Sequence, residues 1–206
     1  MTTRNHSPRQ SRGPGRPREF EMDVALDGAI QIFRERGYHA TSLGDLSSAM
    51  KLTAGSIYKA FADKRAVFLA ALDRYIQIRR AELQRLLDAE QSGREKVRAV
   101  LYFYANSAHG VEGQLGCLIV GSASEIATFD NEIAEHITSA LQHMENLLRR
   151  LIRLGQKDDS IPSAIDPEAT ARVLLSLLQG FRVIGKVSRS RAQMVAAADQ
   201  AMRLLT

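Results

Sequence analysis

The chain of 206 residues has a single cysteine, Cys117. One thiol cannot build an internal disulfide framework, and such sparing use of cysteine fits a reducing, cytoplasmic compartment. Long hydrophobic runs are missing too. The greasiest stretch, residues 115–123, falls far short of the roughly 20 residues that span a bilayer. No apolar signal-peptide core lies near the N-terminus, so neither membrane insertion nor secretion is expected. Period-2 alternation, the mark of half-buried strands, is absent, and so is any internal repeat. Gly13-Pro14-Gly15 opens no phosphate-binding helix, and no nucleophile-elbow sequence occurs. These absences leave an all-α soluble protein with no cofactor site.

What is present is an ordinary globular balance, 45% hydrophobic and 25% charged, in a chain long enough for one or two packed domains. The net charge of +5 is unevenly placed. Arg4, Arg9, Arg12, Arg16 and Arg18 face only Glu19 within residues 1–19, and the rest of the chain is nearly neutral. With Pro8, Pro14 and Pro17 and no aromatic before Phe20, residues 1–19 cannot bury enough apolar surface to order themselves. They read as a disordered basic arm. Gly15-Arg16-Pro17-Arg18 resembles the Arg-Pro element of minor-groove-binding tails, which makes Arg16 and Arg18 candidate DNA contacts. A merely solubilising tail is the alternative.

Beyond the arm, apolar residues recur at helical spacing. Val24, Ala25, Ala29, Ile32 and Phe33 mark a helix over 22–36, which Gly37 ends. Thr41 and Ser42 cap a second helix carrying Leu43, Leu46, Ala49 and Met50. Met50-Lys51-Leu52 breaks the pattern, and Thr53 caps a short third helix over 54–61 that is rich in small and polar residues. Such a helix packs by few side chains and suits a DNA major groove. Asp63 caps a long fourth helix over 64–89, with Lys64 and Arg65 in its first turn. Basic groups there oppose the helix dipole, and a DNA phosphate would compensate them. Further helices are expected over 94–109, 117–128, 131–154, 167–187 and 191–205, the fourth of these started by Asp166-Pro167.

The series Ala29-x-x-Ile32-Phe33-x-x-x-Gly37-Tyr38-x-x-Thr41-Ser42, Leu46-x-x-x-Met50 and Gly55-x-Ile57-Tyr58-x-x-Phe61-x-x-Lys64 resembles the N-terminal domain of the tetracycline-repressor (TetR) family of bacterial transcription regulators. The match covers about residues 21–75 and departs from the family at Ala62, where proline is common. It implies a three-helix helix-turn-helix domain over 20–66, joined by the long helix to an effector-binding and dimerisation domain over 67–206. The implied protein is a cytoplasmic, ligand-responsive homodimer on a palindromic operator in double-stranded DNA, and not an enzyme. A non-inducible or architectural DNA-binding protein, whose second domain only dimerises, is the competing reading.

The candidate DNA contacts are Thr41, Thr53, Gly55, Ser56, Tyr58, Lys59 and Lys64. Thr53, Ser56 and Lys59 face outward if Ile57 and Phe61 face the core, and Gly55 permits close backbone approach. The resemblance implies that Tyr58 touches DNA and that Lys64 binds phosphate; Tyr58 packing between helices is the alternative. Val173, Leu174, Leu177, Leu178, Phe181 and Ile184 form a stripe too apolar to leave wet. The resemblance places the last two helices in a four-helix bundle across a two-fold axis. It also implies a pocket for an unknown small-molecule inducer. Phe103, Tyr104, Ser107, Ile119, Ser122, Ala123, Ile126, Phe129, Met144, Leu147 and Leu178 are candidate lining residues, with Glu125 the one charge expected there. Cys117 follows Gly116 at an expected helix start. It is either a buried small hydrophobe or a sensor of oxidants and electrophiles, as in some family members. His109 and His136 give it no recognisable catalytic partnership. Glu132, His136 and His143 share a helix face, but that placement is that of a solvated surface, and no metal site is expected.

Overall fold

The computed structural model describes residues 16–125, 128, 130–187 and 189–206, with the backbone alone for residues 16–21. The side chains of Arg16 and Arg18, and Ile126 and Phe129, thus lie outside the described residues. All regular elements among the described residues are helical. Helix α1 (Arg16–Ala40) starts inside the segment read from sequence as an arm. Gly37 interrupts it at φ 78°, a left-handed geometry that glycine adopts without a steric penalty. Helix α2 (Leu43–Met50) opens with a capping box between Ser42 and Asp45 and closes on Lys51 in the left-handed region. Helix α3 (Ala54–Ala60) is capped by Thr53, and α4 (Lys64–Asp88) by Asp63.

Helix α5 (Gly93–Asn106) follows a Ser92–Glu95 capping box. A short helix, α6 (Gly110–Leu115), stands where the sequence suggested a glycine-rich loop. Cys117 then separates Gly116 from α7 (Leu118–Glu125). Helices α8 (Asn131–Lys157), α9 (Pro167–Ile184) and α10 (Arg191–Ala201) complete the chain. The last two run on into the 3-10 turns Gly185–Val187 and Met202–Leu205. No helix among the described residues is long and apolar enough to cross a membrane.

Two apolar cores share α4. The first joins α1, α2 and Ile57 of α3 to Val67, Phe68, Ala71, Leu72, Tyr75 and Ile76, and it extends to Leu118, Ile133 and Ile137 on α7 and α8. Its centre is aromatic: the Phe33 and Phe68 rings meet edge to face at 4.9 Å, and Tyr38 meets Phe68 at 5.1 Å. The second core gathers Leu83 and Leu87 with α5, α8, α9 and α10. Packing along α4 thus changes hands between Ile76 and Leu83, later than the expected division after residue 66. The apolar period misassigned two residues, since Val24 and Leu86 are exposed.

Close helix crossings rest on glycine. A Cβ on Gly28 would stand 2.1 Å from the Ala49 carbonyl oxygen, so α1 and α2 touch backbone to backbone. Gly93 and Gly155 do the same for α5 and α8, with a Gly93 Cβ only 2.0 Å from the Gly155 nitrogen. Gly28→Ala is expected to lower stability by about 1–3 kcal/mol through overpacking. Gly121→Ala, whose added Cβ meets nothing within 4 Å, should be neutral or stabilising. Urea midpoints of the two variants check this.

The basic first turn of α4 is compensated within the protein. Arg65 makes a forked pair with Asp130, at 2.5 and 2.8 Å, and reaches Glu132 at 2.7 Å. Both carboxylates sit at the start of α8, where they also oppose its dipole. The expectation that DNA phosphate compensates Arg65 is therefore corrected: the partners lie 65 and 67 residues downstream. The Arg65 hydrogen bond, with those from the α8 backbone, holds the Asp130 carboxyl down at about 2, against an ordinary 3.8. A carboxyl depressed in the folded chain stabilises it above the unfolded pKa, and the gain is lost as pH falls through the folded value. Asp130→Asn is expected to lower the urea midpoint at neutral pH. It should also flatten the loss of stability between pH 4 and pH 2.

Candidate nucleic-acid interface and the junction behind it

Helix α3 is held by one side chain. Ile57 is buried, while Thr53, Ala54, Gly55, Ser56, Tyr58, Lys59 and Ala60 are all exposed. Thr53 Oγ1 accepts the Ser56 amide at 3.2 Å and lies 2.9 Å from Ser56 Oγ, so the two hydroxyls present a fixed polar edge. Tyr58 is 57% exposed, which removes the alternative of a residue packed between helices. A Cβ on Gly55 would touch only Thr53 Oγ1, at 4.0 Å, so the approach there is open. Lys51 and Lys59 are exposed on the same unit. A row of hydroxyls, a phenol and cations free of core duties is the chemistry that meets phosphates and base edges.

Two expected contacts have structural duties instead. Thr41 is 1% exposed, and its hydroxyl donates to the Gly37 carbonyl at 2.6 Å. The reading of its hydroxyl as a phosphate ligand is corrected: it closes the break in α1. Lys64 donates to the carbonyls of Tyr38 at 3.0 Å and Thr41 at 3.1 Å, and its ammonium sits 4.4 Å from the Tyr38 ring centre. It caps the end of α1 from the start of α4, which leaves at most one of its protons for a phosphate.

Behind this unit, α1 is tied to α6 and α7. Arg34 donates to the Gly116 carbonyl from Nε at 3.0 Å and Nη2 at 2.6 Å, and it pairs with Glu112 at 2.7 Å. Arg182 of α9, 2% exposed, donates to the same carbonyl at 2.8 Å and also to the carbonyl of Ser107. At the far end of α7, the Glu125 carboxylate accepts the amides of Tyr38 at 3.1 Å and His39 at 2.8 Å. These are the donors that the break at Gly37 leaves free. Cys117 is half-buried between these ties, and it opens with Lys186, Arg34 and Ser122 on a cavity of about 280 Å³. Arg182 reaches its sulfur, and Tyr75 and Tyr104 stand close by. Burial pushes the Tyr104 phenol up to about 12, and the neighbouring Cys117 charge adds to the shift.

The expected inducer pocket is not one cavity. Phe103, Tyr104, Ile119 and Met144 border a chamber of about 40 Å³ between α4, α5, α7 and α8. Phe103 and Ser107 border an open cleft of about 640 Å³ beside α5, and Ser122 belongs to the Cys117 cavity. Leu178 is fully buried core and Leu147 packs against that core, while Ala123 borders none of the three cavities. The expectation of a nearly charge-free pocket is corrected as well. Arg79, Arg80 and His143 stand around the chamber, and Glu125 serves α1 instead. Sequence reasoning passed over Arg34 and Arg182. Arg182 had a visible signal, since it lies four and eight residues beyond Leu178 and Leu174 on the buried face of α9. Of the helix-face set weighed for metal, Glu132 pairs with Arg65 and His136 with Asp73 at 2.8 Å.

The α2–α3 unit, with its exposed second helix set on a three-helix core, is a helix-turn-helix DNA-binding domain carried by a larger helical domain. Two family models match: "Bacterial regulatory proteins, tetR family" over residues 25–71, and "Tetracyclin repressor-like, C-terminal domain" over residues 93–201. The chain belongs to the TetR family of DNA-binding transcriptional regulators, and its relatives are regulators rather than enzymes. It is 29% identical to the HTH-type transcriptional repressor ComR of Escherichia coli (strain K12), over 92% of this chain and 91% of that one. It is 28% identical to the uncharacterized HTH-type transcriptional regulator YezE of Bacillus subtilis (strain 168), over 93% and 99%. Among solved structures, a cysteine-substituted form of the TetR-family regulator CifR bound to 26-bp operator DNA superposes with a TM-score of 0.79. That match has 27% identity and covers 94% of this chain and 98% of the other.

Tyr58→Ala and Lys59→Ala, both at exposed positions, should change stability by no more than about 0.5 kcal/mol. Together they should abolish operator retention in gel shifts. Lys64→Ala is different: it should lower the urea midpoint, because it removes the cap on α1.

Proposed function

We propose that this chain is a homodimeric transcriptional repressor that leaves a palindromic operator when a small molecule enters its helical domain or when Cys117 is modified. The observation that carries the reading is the Gly116 carbonyl. It is shared by a guanidinium from the DNA-reading domain and another from α9, directly beside the one thiol. A displacement of residues 116–118 cannot occur without loosening Arg34, Arg182 or both. Helix α7 adds a second tie to α1 through Glu125. An adduct on Cys117, or a ligand that spreads α4 from α7 and α8, favours a conformer in which the two reading helices no longer match their half-sites. That is a population shift, driven by the difference in ligand affinity between the two conformers.

Dimerisation is supported by how the α9 stripe divides. Leu174, Leu178 and Phe181 are buried in the chain's own core, whereas Val173, Val183, Ile184 and Val187 stay exposed and Leu177 is half-buried. Gly180 lies among them, and a Cβ there would meet nothing within 4 Å. An apolar face with an open glycine at its centre suits the close approach of a second copy. One helix-turn-helix unit alone presents too little surface for tight specific binding. The repressor sign follows the printed description of ComR. An architectural, non-inducible protein would have no use for a half-buried thiol beside a cavity rimmed by Arg34, Arg36 and Lys186, cations that attract an anionic oxidant such as hypochlorite.

Gel shifts on a palindromic operator before and after N-ethylmaleimide or hypochlorite provide the test. Wild type should release DNA and Cys117→Ser should hold it, with both chains dimeric by light scattering at micromolar concentration. Equal retention by the two treated proteins would remove the thiol from the mechanism, and a monomer would remove the dimer.

A further inference from the structure

The chamber between α4, α5, α7 and α8 is small, about 40 Å³, and its polar groups are unusual in having no partners. The ion pairs of α4 engage Arg65, Arg74 and Arg79, but among the described residues none engages Arg80. His143 on α8 faces the same space, and its imidazole is held below its ordinary value by burial and by the charges of Arg80 and Arg150. The Tyr104 hydroxyl on the opposite wall has no hydrogen bond among the described residues, and burial keeps it protonated. No carboxylate borders the chamber, whereas Ile76, Leu83, Ile119, Ala140 and Met144 do. Positive charge without a counter-charge, set in an apolar wall, destabilises the empty state. An anion would relieve it.

The chamber is also the narrow middle of a longer passage. Phe103 borders both the chamber and the 640 Å³ cleft beside α5, with the Arg79 guanidinium stacked 4.0 Å from its ring centre. On the other side, Ile76 and Arg80 also border a groove of about 360 Å³ between α4 and α8. A head group anchored at Arg80 and His143 could therefore carry a body past Phe103 into the cleft along Ala99, Tyr102 and Leu86.

We propose that the inducer site takes a small organic acid, its carboxylate bound by Arg80 and His143 with Tyr104 as a third donor, and its apolar body lying along Phe103. The proposal rests on the ligand-responsive reading above and names its ligand class. A carboxylate is favoured over phosphate because the chamber is small and mostly apolar, and a strongly hydrated dianion would leave most of its oxygens unpaired there. Filling the passage presses α4 and α8 apart at the level where the reading-domain core hands over to the second core.

Octanoate is the probe, with octan-1-ol as the uncharged control of equal length. Calorimetry on the full-length chain without DNA should show octanoate binding well ahead of octanol. Arg80→Gln should weaken octanoate about tenfold or more, as loss of a charge-assisted hydrogen bond does. NMR should show the His143 titration midpoint rising with octanoate and unmoved by octanol. Equal binding of octanol, unchanged octanoate affinity in Arg80→Gln, or a His143 midpoint indifferent to octanoate would each overturn the proposal. A gel shift run in parallel keeps the two readings apart. Failure to bind an operator in any condition defeats the regulator reading, whereas calorimetry on the chain alone decides the carboxylate site.

Discussion

Two guanidinium groups on one carbonyl oxygen hold this molecule together as a device. Gly116 presents its carbonyl to Arg34 and Arg182, and Glu112 neutralises both, at 2.7 and 3.7 Å. Burying Arg182 would be costly if its donors were left unmet, but it has carbonyls at both ends and no buried side-chain polar atom among the described residues lacks a partner. The cost is what makes the arrangement specific. An Arg182 released from Gly116 finds no water to replace it, so the local structure favours one arrangement or another over a gradual drift. Because Arg34 belongs to the DNA-reading domain and Arg182 to the face assigned to dimerisation, the carbonyl lies where the two halves of the function meet.

The reading helix is the opposite case. Helix α3 has one buried side chain, so it is cheap to carry and its outward residues are free for DNA. Its position is set by its neighbours: Lys51 turns the chain in a left-handed conformation, Ser47 Oγ donates to the Leu52 carbonyl at 2.5 Å, and Asp63 starts α4 just beyond. Rigid connections and a sparse core give a helix whose surface is available but whose direction follows α1 and α4. Anything that turns α1 turns the reading surface with it.

Local chemistry was legible in the sequence. The caps at Ser42, Thr53, Asp63 and Asp166 fall where hydroxyls and carboxylates precede helical periods, and helices α4, α5, α8 and α9 were read to within a few residues at each end, because capping and periodicity act over one or two turns. What the sequence did not disclose is long-range. Arg65 meets Asp130, Arg34 meets Gly116 and Lys64 meets Tyr38 through chain reversals that no local pattern encodes. Thr41 shows the same limit in reverse: a hydroxyl before a helix start has the pattern of a phosphate ligand, and only the kink at Gly37 reveals a nearer acceptor. The pocket residues scattered because spacing identifies inward faces without telling a filled interior from an empty one. Leu178 and Tyr104 share that inward signal, yet the first is packed core and the second borders a chamber.

The position of Cys117 follows from the same geometry. A thiol deep in either core would be shielded from reagents, and one on the surface would be reachable but coupled to nothing. Here the sulfur is half-buried at the start of α7, open to a cavity, within reach of Arg182, and one residue from the carbonyl that anchors α1. Helix α7 spans only eight residues, so it moves as a unit, and Glu125 at its other end holds the donors freed at Gly37. A push at Cys117 therefore arrives at α1 twice, through Arg34 near one end of α7 and through Glu125 at the other. Two points of attachment fix a rotation, where a single one would leave α1 free to swivel. That is why so small a chemical change can re-aim a reading helix that has almost no packing of its own to resist.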